Sequence, residues 1–166
     1  MVIGLGLVVA TSCQPQFDEG DIVPISNLSN ARQKIGEDKV QIAKVLAKAV
    51  KNLDVRALLK EEALKKFDGD YDVLFQLVKN KKLKNNKTLV DFITEKAESP
   101  AQFRKSIDAL PLLAIYVPTF FSAEKWDVEN QVPVVAVRDA DDKLIAFNDK
   151  GETAELSLQK SQTFPS

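Results

Sequence analysis

The feature that most constrains this fold is a change of hydrophobic period at Pro111. Before it, apolar residues recur at helical spacing; after it they come in short runs bounded by prolines and turn residues. From Asp38 to about Asn52, Ile42, Val45, Leu46, Ala49, Val50 and Leu53 fall on one helical face, with Lys39, Lys44, Lys48 and Lys51 largely off it. Asp54 is placed to cap a second helix that turns Val55, Leu58, Leu59, Ala63 and Phe67 inward and ends before Asp68-Gly69. Asp70 or Asp72 is placed to cap a third, running through Val78. The polar stretch Lys79 to Lys87 separates it from a fourth helix starting at Thr88-Leu89-Val90. Ser99-Pro100-Ala101-Gln102 then has the order of N-cap, first-turn proline and capping-box residue, which predicts a fifth helix ending near Leu110.

Beyond Pro111, Leu112 to Val117 and the valine-rich Val132 to Arg138 read as strands. Asp139-Ala140-Asp141-Asp142 is a turn cluster, and Lys143 to Phe147 resumes the apolar pattern, so a hairpin is expected near 132–147. Asn148-Asp149-Lys150-Gly151 makes a second turn before a weaker strand at Ala154 to Leu158. The expected class is α+β: an N-terminal helical bundle of four or five helices followed by a small antiparallel β-sheet. Charge follows the same division. Residues 39–105 carry 16 basic and 9 acidic side chains, residues 106–166 carry 5 and 10, and the whole chain has a net charge of −1.

The N-terminal run Val2 to Val9 is uncharged and apolar, and leads through Ala10, Thr11 and Ser12 to the only cysteine, Cys13. It is far shorter than the ~20 residues a membrane-spanning helix needs. Two readings fit such a run: a targeting segment, or an N-terminal strand followed by a free core cysteine. The polar, breaker-rich Gln14-Pro15-Gln16-Phe17-Asp18-Glu19-Gly20-Asp21 favours the first, because it has the composition of a tether. Ala10-Thr11-Ser12-Cys13 resembles the end of a bacterial lipoprotein signal peptide, and the chain is similar to uncharacterised Bacteroidota-type lipoproteins in its Pro111-to-Pro118 and Val132-to-Asp139 segments. The resemblance implies lipidation at Cys13 and a membrane partner through that anchor. It also implies residence in the bacterial cell envelope, at the outer membrane or cell surface. The expected organisation is a signal peptide at 1–12, a tether at 13–28 and one domain at 29–158. The tail at 159–166 reads as disordered or as the start of a further region of a longer protein.

Absent residue types narrow the chemistry. With no histidine and one cysteine, Ser-His-Asp and Cys-His catalysis, histidine-ligated zinc, thiolate zinc sites and iron–sulfur clusters all lack their ligands or bases. Gly4-Leu5-Gly6 lacks the third glycine of a dinucleotide loop, since position 9 is Val9. No cofactor is expected. Asp68, Asp70 and Asp72 alternate around Gly69 as oxygen ligands for calcium do, but an EF-hand loop would have glycine at Val73 and glutamate at Lys79. Helix capping accounts for them more simply. The aromatics Phe120, Phe121 and Trp126 are the candidate contacts for a protein or glycan partner, set against the commoner role of closing a small core. The Lys79–Lys87 stretch lacks arginine and interleaved aromatics, so nucleic acid is not expected as a partner. These features favour a non-catalytic binding or scaffolding domain on a lipid anchor. The alternative is an exported hydrolase using carboxylates, or an accessory segment of one whose catalytic residues lie beyond Ser166.

Overall fold

The computed structural model describes residues 6–11, 25–116 and 122–155. The fold is α+β. Chain order is β1 (Gly6–Thr11), α1 (Ile25–Ala49), α2 (Leu53–Ala63), β2 (Asp72–Leu74), α3 (Phe75–Val78), α4 (Leu89–Thr94), α5 (Pro100–Asp108), β3 (Leu113–Tyr116), α6 (Ser122–Lys125), β4 (Val134–Arg138), β5 (Leu144–Phe147) and β6 (Thr153–Glu155). Among the described residues the strands make one sheet in the order β2-β3-β1-β4-β5-β6. Its pairings are antiparallel except β1 with β4, which is parallel.

Several elements stand where local signals put them. The Asp139 carboxylate accepts from the Asp141 and Lys143 amides at 2.9 Å each, closing the expected β4–β5 hairpin. Thr88 caps α4 by accepting from the Asp91 amide. Ser99 occupies the N-cap position of α5, though its side chain makes no capping hydrogen bond.

Other boundaries differ. The second helix is capped by Asn52, whose side chain accepts from the Asp54 and Val55 amides, and not by Asp54. It ends at Ala63, leaving Phe67 55 % exposed in a separate 3-10 turn at Phe67–Gly69. The expected third helix is divided: Asp72–Leu74 pair with β3 as an edge strand, and only Phe75–Val78 are helical. The long-range β3 hydrogen bonds outweigh a capping preference that is purely local. The first helix begins at Ile25, inside the expected tether, and residues 27–35 are all exposed. Gly6–Thr11 form a strand between β3 and β4, as the strand reading of that run has it. Cys13 and residues 159–166 lie outside the described residues.

The core lies between the helices and one face of the sheet. Leu46, Val50, Val55, Leu59, Phe75, Leu89, Ile93, Phe103, Ile107, Leu113, Ile115, Val135 and Val137 are among its buried members. From Gly36 onward α1 packs against β4, β5 and α5. It also approaches the β4–β5 turn closely at Gly36, where a Cβ would stand 2.6 Å from the Ala140 backbone nitrogen. Only a residue without a side chain lets this helix meet the hairpin turn so closely. On the α5 side, Asp38 is buried, accepting from Lys34 at 2.8 and 2.9 Å and from the Ser106 hydroxyl at 2.6 Å. A buried carboxylate satisfied in this way ties α1 to α5.

Candidate functional site

The three alternating aspartates fall in different local elements. Asp68 belongs to the 3-10 turn, Asp70 is exposed after it, and Asp72 opens β2. Lys66 and Gly69, with φ of 49° and 87°, reverse the chain on either side of Phe67. Among the described residues no group of three or more carboxylate or thiol side chains is placed to hold a metal ion. Asp72 and Glu62 instead line a small pocket of about 180 Å³ with Lys65, Phe67, Leu77 and Val78. Glu62 accepts from Lys65 and from Lys81, each at 2.6 Å. Burial pushes its carboxyl upward, but those two hydrogen bonds and the ammonium charges more than offset this and hold it below the ordinary range. One Asp72 oxygen, Oδ1, is buried beside this ion cluster with no hydrogen-bond partner among the described residues.

Trp126 is 1 % exposed, with its indole nitrogen donating to the Gln131 carbonyl at 3.3 Å. Its ring fills the core, so it offers no face to a ligand; Phe120 and Phe121 lie outside the described residues. The loop carrying Trp126 is held by two cations of α2. Lys60 donates to the Glu124 and Trp126 carbonyls at 3.1 and 2.8 Å. Arg56 donates through Nε to the Val128 carbonyl at 2.6 Å, and through Nη1 to the Val50 and Lys51 carbonyls at 2.8 and 2.7 Å. Arg56 is buried, and desolvation lowers its pKa from the usual arginine value. A guanidinium bonded to carbonyls at the end of α1 also meets the negative end of that helix dipole. Sequence reading missed this clamp, because the face of α2 that bears Arg56 looks solvated until the loop folds back over it.

The lysine-rich stretch is an ion-paired loop. Lys81 meets Glu62, Lys84 lies 3.4 Å from Asp54, and Lys87 lies 2.7 Å from Glu95. Leu83 is buried beneath it, and Lys82 bridges to Thr88 through the backbone.

A groove of about 820 Å³ lies between the exposed half of α1 and the β4–β5 turn. Arg32, Gln33 and Glu37 line one wall, Asp139 and Asp141 the other, with Val40 and Ile145 also contributing. Gln33 donates to Glu37 at 3.2 Å, and Asp139 is engaged by turn amides. The groove is therefore lined by a guanidinium, carboxylates and a small apolar area. The chain matches no family model, no curated protein and no solved structure.

Proposed function

We propose that this is a lipid-anchored protein of the bacterial cell envelope, at the outer membrane or cell surface. Its α+β domain binds or positions a protein or glycan partner and does not catalyse a reaction. The observation that carries the reading is the apolar run closing in Ala10-Thr11-Ser12-Cys13, followed at once by the polar, proline- and glycine-containing segment to Asp21. The start of α1 fits such an anchor. Residues 27–35 are exposed on every side of the helix, including Leu28 and Ile35 at 40 and 37 %. A helix solvated all round for more than two turns works as a spacer between a tether and a domain. Three of the carboxylates are engaged structurally: Asp38 by Lys34 and Ser106, Asp91 by Thr88 and Arg104, and Asp127 by Asn130.

One acyl chain gives marginal membrane binding, whereas two or more hold a protein on the bilayer. The full chain expressed in a bacterial host is expected to partition with membranes and the detergent phase, and its Cys13→Ala variant to move to the soluble fraction. Equal partitioning of the two would remove the anchor.

A further inference from the structure

The residues that a lipoprotein peptidase would remove are the same residues that form β1. Gly6–Thr11 stand between β3 and β4, so cleavage before Cys13 takes out an interior strand. The sheet divides at that strand into two antiparallel parts. On one side β2 and β3 pair and pack with α3; on the other β4, β5 and β6 pair, with α1 against β4 and β5.

We propose that in the processed chain β3 and β4 pair directly as antiparallel neighbours, with Ile115 opposite Val137 and Tyr116 opposite Ala136. This inference rests on the lipid-anchored reading. Strand direction permits the closure. β3 runs antiparallel to β1 and β4 parallel to it, so β3 and β4 are antiparallel to each other. Register permits it as well. Val9 faces Ile115 on one side and Val137 on the other, and Val8 likewise faces Tyr116 and Ala136. Ile115 and Val137 are both buried in the core, so movement by one strand spacing, about 4.8 Å, keeps every side chain on its own face. A slip by one residue would turn Leu113 and Ile115 out of the core. Leaving the gap unfilled would expose two rows of backbone donors and acceptors.

The test places one thiol on each strand. The full chain carrying Tyr116→Cys and Ala136→Cys is expressed in a host that processes lipoproteins, alongside the same chain with Cys13→Ala, which keeps its first residues. Acylation consumes the Cys13 sulfur, so each product has only the engineered pair of free thiols. Treatment with oxidised glutathione, digestion and peptide mass analysis then report the crosslink. Adjacent strands bring Cα atoms within disulfide reach, while strands two spacings apart, about 10 Å, do not. The expected result is a 116–136 disulfide in the processed chain and none in the uncleaved one. Ala136→Cys with Ala146→Cys, whose positions face each other in β4 and β5, should crosslink in both and reports that the sheet is folded. A processed chain that forms only the 136–146 crosslink, or a 116–136 crosslink equal in both forms, overturns the inference. Loss of both crosslinks in the processed chain overturns it too, because β1 is then indispensable to the sheet. If no product begins at Cys13, the lipid-anchored reading fails and this inference falls with it; the N-terminal peptide in the same digest separates that case from the others.

Discussion

At Glu62 two opposing effects act on one carboxylate. Burial favours its neutral form, while Lys65 and Lys81, each 2.6 Å away, favour the charged one and prevail. The folded pKa is thus depressed, so the stability this group contributes is present above the unfolded value of about 4.3 and is lost as pH falls through the folded value. Lys81→Met removes one of the two donors and brings the folded pKa nearer the unfolded one. Urea midpoints measured from about pH 5 down to about pH 2 should therefore fall less steeply for the variant than for the parent, from a lower starting stability. Parallel curves would show that Lys81 does not set the Glu62 titration. Little of this cluster was legible in the sequence. Glu62 and Lys65 are a local pair on adjacent turns, but Lys81 arrives from a loop beyond β2 and α3. The same holds for Arg56, whose carbonyl partners at Val50, Lys51 and Val128 come from both sides of it along the chain. Trp126 drew attention as a large aromatic in a connection, and its burial follows from the two α2 cations that hold the loop down.

Among the elements, those with local chemistry at their ends were the readable ones. Thr88 and the Asp139 turn satisfy backbone groups within a few residues, Pro100 removes a first-turn N–H and presets φ, and α4, α5 and the β4–β5 hairpin begin or turn where those residues stand. The three-residue β2 has no such signal, because its hydrogen bonds come from β3, far along the chain. The first turns of α1 were illegible for a different reason. Leu28, Ala31 and Ile35 stand at helical spacing there but are exposed, and this short polar-flanked stretch follows directly on a segment with the composition of a tether. Where α1 does meet the sheet, the contact depends on Gly36. Gly36→Ala gains up to about 1 kcal/mol of helix propensity, yet its methyl would sit 2.6 to 2.8 Å from Ala140 backbone and side-chain atoms. Forcing α1 from the hairpin turn costs about 1–3 kcal/mol, as overpacking generally does, so thermal unfolding should occur at lower temperature than in the parent. An unchanged or raised midpoint would mean that the turn yields freely and that this approach is not a fixed feature of the packing.

For the molecule as a whole, the helix-then-strand division announced by the change of period at Pro111 holds in outline, with the short β2 before it and the short α6 after it as exceptions, and with β1 at the other end of the chain, far from the other strands in sequence and interior in the sheet. Periodicity could not place it, because an uncharged apolar run of this length satisfies both an export signal and a buried strand. The two uses are successive under the function proposed here: a strand while residues 1–12 are attached, and a discarded leader once Cys13 is the first residue. The anchor then lies N-terminal to the exposed turns of α1, and the groove between α1 and the β4–β5 turn belongs to the domain that the spacer carries. The most direct measurement is the intact mass of the protein recovered from the membrane fraction of a bacterial host expressing the full chain. The expected species lacks residues 1–12 and begins at an acylated Cys13, heavier than the bare polypeptide by its acyl and glyceryl groups. A species that keeps residues 1–12 and a free Cys13 thiol would contradict the anchor and leave β1 as a permanent strand of the sheet.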